Sequence, residues 1–320
     1  MKIVMLDAHT ANPGDVSWAP FESIAPCERH PRTHVAETAA RCAGAPIVIT
    51  NKAPMTRETI EALPDLKYIG VIATGFNIVD TVAAKERGVI VTNVPGYGTP
   101  AVAQHVFALI LELANNVGAS AQSVAAGGWQ NCLDFCYYDK PIIELAGRTL
   151  GIIGYGEIGA AVARIGQAFG MKVLAWSTNL TEERAAEIGA TRVDKATLLR
   201  EADVVTLHLI LSDRSRNTIT APDLALMKPT SFIVNTSRGP LIEQAALIAA
   251  LKEGRIAGAG LDVFDIEPMP ADHPILSAPN TVLTPHLGYV TEQNYRTYYE
   301  VAVAATNAFL AGAPIGVIKP

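Results

Sequence analysis

A chain of 320 residues suggests about two domains, and with 49% apolar and 18% charged residues it has enough hydrophobic material for two cores, which excludes a disordered chain. The formal net charge of −6, with no basic block, excludes the usual nucleic-acid footprint. No apolar run reaches the roughly 18 residues of a membrane span. Met1-Lys2-Ile3-Val4-Met5-Leu6-Asp7 reads as a first strand, not as a signal peptide, so a cytoplasmic location is expected. The four cysteines, Cys27, Cys42, Cys132 and Cys136, read as reduced thiols. Cys132 and Cys136 lack a second ligand pair nearby, and no metal site is expected.

In chain order, residues 3–7 and 47–50 read as strands, 56–63 as a short helix capped by Thr56, and 68–73 as a third strand ending in Thr74-Gly75-Phe76-Asn77. Residues 79–87 form a helical pattern stopped by Gly88, and 89–92 the next strand. Strands and helices alternating at this spacing imply a parallel α/β sheet, whose ligands sit beyond the carboxyl ends of the strands. Asn51-Lys52 and the 74–77 stretch occupy such ends and are candidates for a substrate mouth. Pro100 opens a helix that Thr99 can cap; residues 101–115 are apolar on all sides, which places that helix inside a domain or in a subunit interface. Residues 116–140 show little periodicity and several aromatics, the pattern of an arm that packs on a partner chain.

The most informative stretch follows. Residues 149–153 are a buried-type strand that runs into Gly154-Tyr155-Gly156-Glu157-Ile158-Gly159; apolar residues then recur at helical spacing until Gly170, and residues 172–176 return to strand character. Strand, glycine turn, helix and strand are the context that makes a G-x-G-x-x-G a dinucleotide site. Gly154 permits the tight turn, Gly156 lets backbone approach a pyrophosphate, and Gly159 lets the helix pack against the strand. The helix N-terminus then faces the negative charge. An acidic residue about 20 positions on would bond the ribose hydroxyls in an NAD site. Here the strand ends in Trp176-Ser177-Thr178-Asn179, with no acid before Glu182, so either NAD or NADP is open.

Strands are expected at 204–209, 232–235, 258–263 and 282–284, with a helix at 244–252 and a long terminal helix at 291–310 that can return to brace the first domain. Three of these strand ends carry titratable groups: Val234-Asn235-Thr236-Ser237-Arg238-Gly239, Asp262-Val263-Phe264-Asp265-Ile266-Glu267-Pro268 and Thr284-Pro285-His286. An Arg, a Glu and a His on the edge where a dinucleotide lies suit hydride transfer to a 2-keto acid. Arg238 would grip the carboxylate with its planar fork, His286 would donate the proton, and Glu267 would stabilise the imidazolium. His208 and Thr236, also at strand ends, are counted as cofactor contacts; His105 reads as structural, and His273 as part of a turn.

Over essentially its full length the chain resembles the D-isomer-specific 2-hydroxyacid dehydrogenases. The resemblance implies that Arg238, Glu267 and His286 are catalytic, that Asp262 holds the nicotinamide carboxamide, and that Thr74, Gly75 and Phe76 belong to the loop that binds the substrate carboxylate. Val94-Pro95-Gly96-Tyr97, Asp134-Phe135-Cys136 and Pro268-Met269-Pro270-Ala271-Asp272-His273-Pro274 are most similar to glycerate dehydrogenases (hydroxypyruvate reductases). The expected architecture is two doubly wound α/β domains. A Rossmann-type dinucleotide-binding domain at 100–288 is inserted into a flavodoxin-like substrate domain at 1–99 and 289–320, and the assembly is expected to be a homodimer.

The expected activity interconverts glycerate and hydroxypyruvate, or glycolate and glyoxylate. Phosphoglycerate oxidation ranks lower, because no arginine cluster for phosphate marks the substrate loop and no regulatory domain follows residue 320. Formate oxidation needs no proton acid, which the Glu–His pair argues for. A rival of another class is a dinucleotide-sensing binding protein of the corepressor type, which an intact Arg, Glu and His do not exclude.

Overall fold

A computed structural model of the chain describes residues 1–12, 14 and 16–319. The chain divides into one unit formed by Met1–Gly98 with Val290–Pro320 and a second formed by Thr99–Tyr289.

In the first unit, β1 (Ile3–Met5), β2 (Cys27–Arg29), β3 (Ile47–Thr50), β4 (Tyr68–Val71) and β5 (Ile90–Thr92) form a parallel sheet of order β2-β1-β3-β4-β5. This is the flavodoxin-like order. Strands β1, β3 and β4 are buried along their whole length, which is why each reads as an unbroken apolar run. Strand β2 escapes sequence reading because Cys27-Glu28-Arg29 lies at the sheet edge and carries no apolar pattern. The helix Val35–Cys42 is likewise an addition to the expected elements. Thr56 caps the helix Arg57–Glu61 by accepting from the Thr59 amide, and Asp80 caps Thr81–Glu86 in the same way.

The terminal helix Glu292–Leu310 belongs to this unit. Phe309 stacks on Tyr68 at 4.7 Å between ring centroids, and the Tyr298 hydroxyl donates to the Ala11 carbonyl at 2.7 Å. An isolated antiparallel bridge between Thr92 and Val317 follows the helix.

The second unit holds β6 (Thr149–Ile153), β7 (Lys172–Trp176), β8 (Thr191–Arg192), β9 (Val204–Leu207), β10 (Phe232–Asn235), β11 (Gly258–Leu261) and β12 (Thr281–Leu283). Their order is β12-β11-β10-β9-β6-β7-β8, all parallel. Read from its other edge, this is the Rossmann order with one strand added. Successive side chains leave a strand on opposite faces. Leu150 and Ile152 therefore enter one core with Phe107 and Val162, while Ile153 enters the other with Leu198 and Leu251.

The helix that opens this unit, Thr99–Asn115, starts at Thr99 itself. It buries Ala103, Val106, Phe107, Leu109, Ile110, Leu113 and Ala114, so its apolar character is satisfied within the unit. The 116–140 segment is less irregular than its sequence reads, since Val117–Ala125 is helical, although none of that helix is buried.

Register decides what this sheet can do. Trp176 lies opposite Ile153, Ile153 opposite Leu207, Leu207 opposite Asn235, Asn235 opposite Leu261, and Leu261 opposite Leu283. The next residue on each strand therefore falls on one row across the carboxyl edge: Ser177, Gly154, His208, Thr236, Asp262 and Thr284. Backbone hydrogen bonds carry the pairing up to that row. His208 N donates to Ile153 O at 2.8 Å, Asp262 N to Asn235 O at 3.0 Å, and Thr284 N to Leu261 O at 2.9 Å.

Candidate active site

The glycine turn stands at the switch point, where the chain crosses from β6 to one neighbour and later returns to the other. Gly154 has φ of 96°, and a Cβ there would lie 2.7 Å from the His208 carbonyl carbon, so both conformation and space exclude a side chain. A Cβ on Gly159 would run into the Gly154 carbonyl oxygen, which accounts for the close seat of the helix Glu157–Ala168 on the turn. Gly156 differs: it caps that helix, is exposed, and a Cβ there would meet nothing within 4 Å. The open side of the turn therefore faces free space in which a phosphate can approach backbone amides. Glu157 is exposed in the first turn, and Ile158 packs back on the core.

Orphaned polar atoms point the same way. Among the described residues, the buried Thr236 Oγ1, His208 Nδ1 and Tyr155 hydroxyl have no hydrogen-bond partner. Buried polar groups ordinarily find partners, so Thr236 Oγ1 and His208 Nδ1, both from residues on the row, are atoms that a polar ligand there could complete. The other His208 nitrogen, Nε2, lies 3.1 Å from Thr206 Oγ1. Burial drives the His208 pKa down to about 3, so its ring is neutral and adds no positive charge. Burial likewise raises the Tyr155 phenol. Ser177 is partly exposed at the end of β7, with no carboxylate beside it in the chain. These residues fit a nicotinamide dinucleotide.

Beyond β10, the buried Asn235 closes a tight loop. Its Nδ2 donates to the Arg238 carbonyl at 2.8 Å, and its Oδ1 accepts from the Ser237 amide at 3.0 Å. This fixes the backbone from which Arg238 projects, and the guanidinium donates to the Ser237 carbonyl at 2.7 Å. Gly239 follows because a Cβ there would collide with the Phe264 carbonyl group. The Arg238 loop thus lies directly against the loop that carries Glu267.

In that second loop Glu267 Oε1 accepts from the Phe264 amide at 2.8 Å, and Oε2 lies 2.7 Å from His286 Nδ1. A carboxylate can only accept, so in this contact Nδ1–H donates to Glu267 Oε2, and Nε2 is the nitrogen left for a substrate. Their side chains are 35% and 23% exposed, so the pair is open enough to be reached from solution. His286 is in the left-handed region, with φ of 59°, a conformation a non-glycine residue holds at a cost of about 1–3 kcal/mol.

The brace for that conformation is Asp262, whose side chain is 1% exposed. Its Oδ1 accepts from Thr284 Oγ1 at 2.6 Å and from the Leu287 amide at 2.7 Å, and its Oδ2 accepts from the Gly288 amide at 2.8 Å. His105 Nε2 comes within 3.2 Å of Oδ1 and 3.0 Å of Thr284 Oγ1. Burial pushes this carboxyl up, but those hydrogen bonds outweigh it and hold its pKa below the ordinary carboxylate value. Asp262, expected as a cofactor ligand, is therefore also the anchor of the His286 loop.

The remaining predicted residues, Lys52, Thr74, Gly75 and Phe76, belong to the first unit, beyond the ends of β3 and β4. There the buried Asp7 accepts from the amides of Asn51, Lys52 and Ala53, which shapes the turn that carries Lys52. Thr74 Oγ1 donates to the Val94 carbonyl at 2.9 Å, and Phe76 is exposed.

Sequence reasoning passed over Asn235, Thr284 and His105 as functional residues. The first two sit inside the quoted motifs; the third carries no local signal, because only the fold brings it to Asp262. His273 is also more than part of a turn. It is buried, accepts from the Ile275 amide through Nδ1, and reaches Asp265 Oδ1 at 2.9 Å through Nε2.

A glycine turn at the switch point of a Rossmann sheet, with a carboxylate–imidazole pair and an arginine on the same edge, defines a nicotinamide-dependent oxidoreductase. Residues 107–288 match the model of the D-isomer specific 2-hydroxyacid dehydrogenase NAD-binding domain. The chain is 41% identical over 322 residues to a hydroxypyruvate reductase of Blautia hydrogenotrophica, covering 100% of both chains. It is 41% identical over 286 residues to a glycerate dehydrogenase of Methylorubrum extorquens, covering 88% of each. Among solved structures, an acyclic imino acid reductase in complex with NADPH and D-Arg superposes with a TM-score of 0.85 at 30% identity, covering 100% of both chains. The chain belongs to the D-isomer-specific 2-hydroxyacid dehydrogenase family and is a 2-hydroxyacid oxidoreductase.

Asp262 supplies a test of the brace. Because its pKa is depressed in the fold, its contribution to stability is fully present above the unfolded value of about 4 and is lost as pH falls through the lower folded value. Asp262→Asn should lower stability at neutral pH by about 2–3 kcal/mol, the scale of charge-assisted hydrogen bonds left broken. It should also flatten the fall in stability below about pH 4. Urea unfolding at several pH values measures both; an unchanged midpoint and an unchanged acid slope would contradict the assignment.

Proposed function

We propose that the chain reduces a small 2-keto acid to the D-2-hydroxy acid, with hydroxypyruvate first and glyoxylate second as substrates. The single observation that carries this reading is the 2.7 Å pair of Glu267 and His286, an acid held ready on the cofactor edge. Arg238 binds the substrate carboxylate through its guanidinium, and Lys52, Thr74, Gly75 and Phe76 of the first unit are the further candidates for substrate binding. The glycine turn, with Ser177, His208, Thr236 and Asp262 alongside, would hold the nicotinamide cofactor, whose chemistry would be hydride supply. His286 gives its Nε2 proton to the carbonyl oxygen as C2 is reduced, and takes a proton back from solvent afterwards. Glu267 accepts from Nδ1 and limits the rotation of the ring. The names of the two enzymes at 41% identity support the choice of hydroxypyruvate. A purely dinucleotide-sensing role is not favoured by the relatives compared.

Two further readings belong with this one. The first places the protein in the cytoplasm; among the described residues no helix is long and apolar enough to cross a membrane. The second is assembly as a homodimer through the arm at 116–140 and the residues just after it. The opening helix is satisfied inside its unit, but Trp129, Leu133, Phe135, Tyr138 and Ile142 each expose half or more of their surface beside an apolar groove lined by Val117, Ala121, Val124 and Ile142. A symmetric contact between two copies would cover both. Light scattering at micromolar protein should give twice the chain mass of 33.9 kDa. A monomer mass would rule the dimer out.

The substrate and cofactor are tested together by assaying a panel of 2-keto acids with NADH and with NADPH. Hydroxypyruvate and glyoxylate should lead. NADPH should serve appreciably, because Ser177 presents no carboxylate to repel a 2′-phosphate. Ser177→Asp should shift the ratio of efficiencies toward NADH by about tenfold or more. Failure of every keto acid would end the proposal, and an unmoved cofactor ratio would remove Ser177 from cofactor selection.

The proton donor is tested by Glu267→Gln, which keeps the shape and loses the charge. Oε2 of Glu267 is the acceptor that orients the His286 ring through Nδ1, so the variant should lower kcat for hydroxypyruvate by about tenfold or more. A variant with wild-type kcat would remove Glu267 from the placement of the proton donor.

A further inference from the structure

The opening helix of the second unit, Thr99–Asn115, sends one polar side chain toward the row of strand ends. His105 sits six residues into that helix among Ala103, Val106 and Phe107, all of which are buried, and its own side chain is 17% exposed. Its Nε2 lies 3.2 Å from Asp262 Oδ1 and 3.0 Å from Thr284 Oγ1. The carboxylate carries no proton and the Thr284 hydroxyl already gives its own to Asp262 at 2.6 Å, so the proton in this contact belongs to His105 Nε2. The ring thus donates into the junction where Asp262 meets the amides of Leu287 and Gly288, the two residues that follow His286. Space at this junction is tight as well: a Cβ on Gly288 would stand 3.1 Å from Asp262 Oδ2 and 3.8 Å from the His105 ring.

We propose that His105 is a positioning residue for the proton donor: its Nε2–H fixes the Asp262 carboxylate, and through it the 284–288 turn that holds His286 at positive φ. The claim rests on the proposed role of His286 for its kinetic consequence, but not for its structural one. Asp262 has two oxygens and three donors on the turn itself. Without His105 the carboxylate can rotate about its Cβ–Cγ bond, and the turn loses the fixed acceptor that offsets the strain at His286. The imidazole would then wander from the substrate oxygen, whereas Arg238, held by Asn235 on a neighbouring loop, would keep its place. Loss of His105 should therefore reduce kcat more than it raises the KM for the keto acid.

Three substitutions separate hydrogen bonding from packing. His105→Gln places an amide N–H near the position of Nε2, His105→Asn reaches only as far as Nδ1, and His105→Leu fills the space without a donor. The measurements are kcat and KM for hydroxypyruvate, and hydrogen exchange of the Leu287 and Gly288 amides in the cofactor-free protein. The expected result is a fall in kcat on the order of tenfold to a hundredfold for Leu and Asn, with Gln within about threefold of wild type. Exchange at Leu287 and Gly288 should quicken by about tenfold in the same two variants, while amides of the 99–115 helix and of β6 stay protected. A Leu variant with wild-type kcat and protection, or a Gln variant as impaired as Leu, would overturn the proposal. Faster exchange throughout the unit in all three would also overturn it, since that marks His105 as a packing residue. If the wild-type protein reduces no keto acid, the proposed function fails while the exchange data still decide the positioning role.

Discussion

The parallel register of the seven-stranded sheet is the constraint on which the rest depends. Pairing of Trp176, Ile153, Leu207, Asn235, Leu261 and Leu283 across neighbouring strands puts the following residue of each at one level. A parallel sheet runs all its carboxyl ends to the same edge, so residues more than a hundred positions apart in the chain, such as Gly154 and Thr284, become neighbours along a row. A slip of one residue in any strand would turn its core-facing side chains to the opposite face and take the row apart. The apolar runs that bury both faces therefore guard the geometry of the polar edge.

Two carboxylates on this edge do different work because their surroundings differ. Asp262 is buried, and its oxygens are taken up by Thr284, Leu287, Gly288 and His105, so it acts as an anchor. Glu267 is about a third exposed and spends one oxygen on the Phe264 amide and the other on His286. The first stabilises a strained turn; the second holds the ring which that turn presents. Between them they fix both where the imidazole stands and which of its nitrogens is free.

Much of this was legible in the sequence, and for a physical reason. Strands buried on both faces, such as Thr149–Ile153 and Phe232–Asn235, read as continuous apolar runs, and glycines forced by positive φ or close contact announce the turn at Gly154–Gly159. Arg238 and Glu267 follow such strands within a few residues, and His286 follows the partly buried edge strand Thr281–Leu283, so finding the strands found them. What stayed hidden were edge elements without apolar patterning, β2 and β8, and the contact of His105 with Asp262. That contact spans a helix and a strand end with no shared motif, and no local pattern can signal it. The apolar opening helix was legible as buried, but only the fold shows that its own unit covers it.

The configuration of the product reads the account in one experiment. The proposed roles, hydride from the cofactor, a carboxylate grip by Arg238 and a proton from His286, would together leave one face of the keto acid open to reduction, and the chain belongs to the D-isomer-specific family. Hydroxypyruvate should be reduced by the wild-type protein, and chiral analysis should find D-glycerate alone. Formation of L-glycerate, or of a racemic mixture under enzyme-dependent turnover, would contradict the account.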